Sequence, residues 1–265
     1  MFTLKDLAQP GTLDEAYQIL VADRSNVLLG GCAYLRLGSL KINTAIDLSK
    51  INLDYIVELA DYIEIGAMTT FRDIETSPLL NAYFCGVLPK AVSNVVGVQF
   101  RNVVTVGASV YAKYGFSDLI TALLALDTEV ELYNGGRMSL EDFLDKPFPR
   151  DILVKLFIKK TMRLAAYQSL RNSAGDFPLL NAAASKLGDE WRIVVGARPL
   201  RAGIAYKASK FLTENSFNNE QMDAAARIAS EELSFGSNMR GTAEYRKAMC
   251  RVLVKRAVTE VVQCK

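Results

Sequence analysis

Two short runs in this 265-residue chain place small residues directly after an apolar, strand-like stretch: LLGGCAYL at 28–35 and TVGASV at 105–110. Each carries a hydroxyl or thiol beside its small residues. Glycine or alanine at consecutive positions lets backbone N–H groups come close to a ligand, and a concave set of amides suits a phosphate or pyrophosphate. Two such turns can clamp one pyrophosphate from two sides, and each also reads as an ordinary tight turn. Neither is a G-x-G-x-x-G fingerprint or a Walker loop, so a standard dinucleotide fold is not supported. Shortly after the second run, Ser117 and Asp118 open an apolar helix, Ser117 as its cap and Asp118 where the helix dipole favours a negative charge.

Composition removes most other chemistries. The chain has no histidine, which excludes histidine-based triads, histidine metal ligands and a histidyl-linked flavin. Cys32, Cys85, Cys250 and Cys264 are scattered with no C-x-x-C pair, so no zinc or iron–sulfur loop is visible and a reducing, cytoplasmic setting is expected. Thirty-one basic residues against 29 acidic ones leave a net charge of +2, too even for a dedicated nucleic-acid surface. Apolar runs such as LITALLAL fall short of the roughly 18 residues a membrane span needs. The N-terminal MFTLKDLAQPG lacks a signal-peptide pattern. Chemistry on this chain therefore calls for a bound cofactor.

The elements that must position these turns are mixed. TLDEAYQIL begins with a capping box, Thr12 and Glu15, and continues at helical spacing. NVLLGG, TAIDL and YIEIGA read as strands, and the pattern from Thr69 to Val95 is helical. A helix from Ser117, strand EVELYN, the turn Asn134-Gly135-Gly136 and strand ILVKLFIK follow. RLAAYQSLR, LLNAAASKL and EWRIVVGARP read as strands, although LLNAAASKL is equally helical by composition. The remainder is helical, NEQMDAAARIASEEL and AEYRKAMCRVLVKRAVTEVV. These breaks suggest segments 1–55, 56–160 and 161–265. In YAKYGF, residues Tyr111, Lys113, Tyr114 and Phe116 suit either loop packing or a contact surface.

Several motifs in one order resemble the FAD-binding medium subunit of molybdenum hydroxylases, the group that includes the flavin parts of xanthine dehydrogenase and aerobic carbon monoxide dehydrogenase. NVLLGGCAYLRLG is similar to that family's first flavin loop, usually A-G-G-T-D-L. VGVQFRNVVTVGASVYAKYGFSDL is similar to its second, I-R-N-x-A-T-x-G-G-N-x-x-x-x-S-P-x-S-D-L, and NMRGTAEYRKAM resembles a signature near the family's C-terminus. The resemblance implies an α+β protein with the vanillyl-alcohol-oxidase-type (PCMH-like) FAD-binding fold: FAD subdomains at 1–55 and 56–160 and a C-terminal α+β flavoprotein domain at 161–265.

It also implies a non-covalent FAD. Backbone amides of Leu29, Gly30, Gly31, Cys32, Ala33 and Tyr34 and of Thr105, Gly107, Ala108 and Ser109 are expected around the pyrophosphate, with Asp118, next to Ser117, accepting from sugar or ribityl hydroxyls. Val96 and Phe100 match positions near the adenine end, and Ile152 and Leu153 the strand beside the isoalloxazine; apolar residues at such places are ordinarily core. No catalytic acid or base and no metal ligand is expected on this chain. The family role is electron transfer in a heterotrimer: a molybdopterin-binding subunit oxidises substrate, an iron–sulfur subunit relays electrons, and the flavin subunit passes them to NAD or another acceptor. Three departures stand out: Ala108-Ser109 for Gly-Asn, Cys32-Ala33 for Thr-Asp, and Gln168 and Ser169 where the family carries a lysine. They leave open a scaffold subunit with a decayed flavin site.

Overall fold

The structure, a computed structural model, describes residues 1–215 and 218–264. In chain order the elements are strand β1 (Thr3–Ala8), helix α1 (Leu13–Ala22), strands β2 (Val27–Leu29), β3 (Lys41–Asp47), β4 (Ile56–Glu58) and β5 (Tyr62–Gly66), and helices α2 (Phe71–Thr76), α3 (Pro78–Ala82), α4 (Val87–Ser93), α5 (Val98–Arg101), α6 (Val106–Tyr111) and α7 (Asp118–Leu124). Next come β6 (Thr128–Leu132), β7 (Gly136–Ser139), α8 (Leu140–Asp145), β8 (Leu153–Lys159), β9 (Leu164–Leu170), β10 (Leu180–Leu187), β11 (Glu190–Gly196) and β12 (Gly203–Ile204). Helices α9 (Tyr206–Glu214), α10 (Asn219–Glu232) and α11 (Ala243–Gln263) follow. They sort into two compact units.

The first unit comprises residues 1–73, 98–112 and 128–158. Its parallel sheet runs β1-β3-β2, with α1 as the crossover between β1 and β2. Thr12 caps α1 by accepting from the Glu15 N–H at 3.2 Å, and the Glu15 carboxylate accepts in return from the Gly11 N–H at 2.9 Å. Ala16 and Leu20 then pack with Ile46 and Leu48. Buried Asn26 sets where β2 starts: its amide donates to the Ile19 carbonyl at 2.6 Å and accepts from the Thr44 N–H at 3.0 Å. The second sheet, β4-β5-β8-β6-β7, has β8 at its centre, buried on both faces except at half-buried Lys155 and at exposed Lys159, its last residue. That burial is why ILVKLFIK is a nearly unbroken apolar run.

The second unit comprises residues 74–97, 113–127 and 159–265. Its antiparallel sheet runs β12-β11-β10-β9. Successive residues of β10 serve opposite layers. Leu180, Ala182 and Ala184 join a core with residues of α9, α10 and α11. Asn181 and Ser185 point the other way, where the Thr121 hydroxyl donates to the Asn181 side-chain oxygen at 2.9 Å and the Ser185 hydroxyl donates to the Ala125 carbonyl at 2.5 Å. Every residue of α7 is buried, and Leu119, Ile120 and Leu123 each contribute about 1.5–3 kcal/mol by leaving water. Buried Arg246 ties down the segment before α11, donating to the carbonyls of Leu179 (2.8 Å), Gly236 (2.8 Å) and Gly241 (2.7 Å) and to the Asn238 side chain (2.7 Å).

The segment LLNAAASKL is a strand, settling its two readings. TVGASV, read as a turn, instead starts α6, and residues 3–8, for which no element was expected, form β1. No described helix is long and apolar enough to cross a membrane.

Asp127, at the end of the α7 segment, receives Arg192 Nη2 at 2.8 Å and Arg163 Nε at 3.3 Å. Burial pushes its carboxyl up, but Arg192 and then Arg163 outweigh that and hold it below the ordinary carboxylate value. A depressed folded-state pKa gives stability that is present above the unfolded value and lost as pH falls through the folded one. Asp127→Asn is therefore expected to cost about 1–3 kcal/mol at pH 7. The deficit shrinks as pH falls below about 3.9, the unfolded aspartate value. Urea unfolding of both proteins at neutral and acidic pH checks this.

Candidate functional site

The two small-residue runs lie in the first unit and touch. At the carboxyl end of β2, a Cβ on Gly30 would sit 2.3 Å from the Ala108 Cβ and 3.0 Å from the Thr105 Oγ1. A Cβ on Gly31 would sit 1.5 Å from the Val103 carbonyl oxygen, and Gly31 itself holds φ +76°. Both glycines are thus demanded by contact with the α6 segment, whether or not a ligand is bound.

The amides of the two runs differ. Four N–H groups at the start of α6 have protein acceptors: Val106 to the Thr69 carbonyl (2.9 Å), Gly107 to the Ala67 carbonyl (2.8 Å), Ala108 to the Thr105 hydroxyl (3.3 Å) and Ser109 to the Thr105 carbonyl (3.1 Å). Thr105 is the cap of α6, which occupies its hydroxyl. Of the residues expected around the pyrophosphate in this run, Gly107, Ala108 and Ser109 thus have their amides engaged within the protein, while the Thr105 N–H has no protein acceptor among the described residues. In the first run, by contrast, the N–H groups of Gly31, Cys32 and Ala33 have no protein acceptor among the described residues. Gly31 and Cys32 hold successive positive φ values of +76° and +57°. Consecutive amides in such a turn form a concave nest for an anion. The half-buried Ser109 hydroxyl also has no protein partner among the described residues.

Other tethers hold this arrangement in place. The Tyr111 hydroxyl, from the last residue of α6, accepts from the Asp151 N–H at 3.0 Å. The buried Asp151 carboxylate in turn accepts from Asn134, Gly135 (2.7 Å) and Ile152 (2.7 Å). Burial and then the nearby Asp47 carboxylate push the Cys32 thiol up, so it stays protonated. Ala33 and Ala108 are not at positive φ, so neither alanine strains the backbone.

Leu29 ends β2, and half-buried Tyr34 precedes a single 3₁₀ turn over 35–37. Phe100, half-buried in α5, uses its carbonyl to accept from Val103 and Val104. Ile152 packs with Ala16 and Leu20 and has both backbone groups engaged, and Leu153 is buried in β8. Both follow the core role of strand residues.

Val96, Ser117 and Asp118 belong to the second unit. Val96 is 43% exposed yet holds φ +54°, an outlier for a β-branched residue. The Ser117 hydroxyl caps α7, accepting from the Ile120 N–H at 3.1 Å. The carboxylate of Asp118 is buried and already occupied: Oδ1 accepts from Arg171 Nη2 at 2.6 Å, from the Tyr167 hydroxyl and, at 3.5 Å, from the Asn181 amide. Burial raises the Asp118 carboxyl above its usual value against the pull of Arg171. Burial and Asp118 together push the Tyr167 phenol well above its own, keeping it a donor. Arg171 Nη1 donates to the Asp176 carbonyl at 2.6 Å, while its Nε is buried without an acceptor.

Sequence reading missed Tyr167, Arg171 and Asn181. The alternation of β9 puts Tyr167, Ser169 and Arg171 on one face, and Asn181 pairs with Ser169. Gln168 faces the other way and donates to Glu260 on α11. The aromatic interval is packing: Tyr114 stacks on Phe116 at 5.0 Å, Phe116 meets Phe177 at 4.7 Å, and Tyr111 lies 6.0 Å from Phe143.

An open amide nest at the carboxyl end of a parallel strand, with no Rossmann fingerprint, has the shape to receive an anion in an α+β protein outside the common dinucleotide folds. Residues 2–174 match the FAD binding domain in molybdopterin dehydrogenase, and residues 165–261 the CO dehydrogenase flavoprotein C-terminal domain. The chain belongs to this family of FAD-binding subunits of molybdenum hydroxylase-type dehydrogenases and has its PCMH-type fold. It is 26% identical to the nicotine 6-hydroxylase medium subunit of Paenarthrobacter nicotinovorans, over 96% of this chain and 95% of that one. It is 24% identical to the carbon monoxide dehydrogenase medium chain of Hydrogenophaga pseudoflava, over 94% of each. A solved structure of the Cu,Mo-CO dehydrogenase shares the fold with a TM-score of 0.90, 23% identity and 100% coverage of both chains.

Gly31→Ala places a methyl into the Val103 carbonyl at a left-handed position. It is expected to destabilise the chain by about 2–4 kcal/mol, combining overpacking with backbone strain. Denaturant midpoints of the two proteins test this.

Proposed function

We propose that this chain is the FAD-holding electron-transfer subunit of a molybdenum-dependent dehydrogenase, working with an iron–sulfur subunit and a molybdopterin-binding subunit. The observation that carries the reading is the set of three unpaired amides at Gly31, Cys32 and Ala33, next to the Gly30 contact with Ala108 of α6. These donors fit a pyrophosphate, and the cofactor is held without a covalent bond. FAD supplies the redox chemistry when bound, accepting electrons from the iron–sulfur partner and delivering them to NAD or another acceptor.

The chain's own residues bind and shape. Gly31, Cys32 and Ala33 donate to phosphate oxygens, and Ser109 adds a hydroxyl donor. Thr105 acts through α6, whose first turn it caps. Asp118 acts through its own network with Tyr167 and Arg171. Gln168 and Ser169 stand where related subunits are expected to carry lysine, and both leave neutral side chains there.

The purified chain is expected to bind FAD at one per chain, followed by flavin fluorescence and the visible spectrum. Ser109→Ala is expected to weaken binding about 5–10-fold, the loss of one hydrogen bond, without lowering the unfolding midpoint. No FAD binding by the chain, alone or co-expressed with partner subunits, would overturn the reading.

A further inference from the structure

Two of the cysteines the sequence scatters are brought together within the second unit. Phe84, Cys85 and Gly86 hold three successive left-handed conformations, φ +53°, +55° and +65°. Side chains disfavour this backbone, and its retention over two non-glycine residues marks a position the surroundings enforce. The turn packs on β9 and leaves Cys85 exposed. Cys264, the residue after α11, is half-buried and has the Cys85 thiol as an electrostatic neighbour. Its Sγ also sits 4.0 Å from the Ala165 carbonyl of β9.

The meeting point is braced. The Cys264 N–H donates to the carbonyls of Glu260 (3.1 Å) and Val261 (3.3 Å), so the residue still belongs to the helix end. Glu260 is held twice, by Lys90 from α4 and by Gln168 from β9. α4, β9 and α11 thus converge where the 84–86 turn and the end of α11 both meet β9. Cys85 and Cys264 are both free cysteines.

We propose that Cys85 and Cys264 form a redox-modification site, at which a hydroperoxide closes a reversible disulfide tying the end of α11 to the 84–86 turn. The two thiols divide the work. Burial and the hydrogen bond to Cys85 push the Cys264 thiol up to about 12, so Cys264 keeps its proton while exposed Cys85 attacks. The Cys85 sulfur attacks the terminal oxygen of the hydroperoxide; an S–O bond forms, the O–O bond breaks, and the alcohol leaves with a proton. Cys85 is then a sulfenic acid. The Cys264 sulfur attacks the Cys85 sulfur, the S–S bond forms, and hydroxide leaves as water with the Cys264 proton. In sum, two thiols and one hydroperoxide give a disulfide, an alcohol and water. A dithiol reverses it.

The test treats the folded full chain with hydrogen peroxide, blocks remaining thiols, and digests with trypsin without reduction. Cleavage after Arg72, Lys90 and Arg256 yields a 73–90 peptide carrying Cys85 and a peptide from Ala257 carrying Cys264. The expected result is these two peptides joined in most molecules and released by dithiothreitol. In Cys264→Ser, Cys85 is expected to trap a sulfenic-acid probe about tenfold more than in the wild type, because the resolving thiol is gone. Recovery of the two peptides unlinked, cross-links only between molecules, or equal probe labelling in wild type and Cys264→Ser would each overturn the proposal. The readout needs no flavin, so it stands or falls separately from the cofactor reading.

Discussion

The first unit is organised around one contact, the approach of Gly30 and Gly31 to the backbone and small side chains of the α6 segment. Space for a Cβ is missing at both positions, and at Gly31 the missing atom would lie 1.5 Å from a carbonyl oxygen. Because β2 must end in residues without side chains, the chain can turn sharply there. That turn leaves three amides pointing away from any protein acceptor. The same contact explains why α6 needs no ligand to finish its own hydrogen bonds. Its first four N–H groups are absorbed by Ala67, Thr69 and Thr105, so it forms a rigid wall against which the nest is set.

The second unit answers a different constraint, a carboxylate placed at a buried helix start. Asp118 would be prohibitively costly there alone, and Arg171, Tyr167 and Asn181 converge on one of its oxygens. Tyr167 and Arg171 come from one face of β9, and Asn181 from its neighbour, so the network locks α7 to the sheet at a defined register. Thr121 and Ser185 extend the same polar seam along β10. A seam of satisfied polar groups between two apolar layers favours one register over its slipped alternatives.

Much of this was legible in the residues, and the exceptions have physical causes. The Thr12–Glu15 capping box, strand β9 and the long helices α10 and α11 appeared as read, since local signals decide them. LLNAAASKL was ambiguous because β10 is covered on both faces; alanines suit its tight packing and carry no period-2 contrast. TVGASV read as a turn because a six-residue helix is too short to show periodicity. The Asp118 partners were hidden because they come from strands some 50 residues downstream, a distance at which no local pattern speaks. The left-handed run at 84–86 was invisible for the opposite reason: only one of its three residues is a glycine.

The double coverage of β10 also sets a hierarchy of opening. Its amides lie at the centre of an antiparallel sheet with a helix layer on either side, so water reaches them only when the second unit comes apart as a whole. The 32–37 segment that follows the Gly31 contact is only half-buried to exposed, and opens at far lower free energy. An anion seated in the nest would therefore quieten a local fluctuation and leave the slowest-exchanging core untouched. Cofactor loading and global stability are, in this architecture, governed by different parts of the chain.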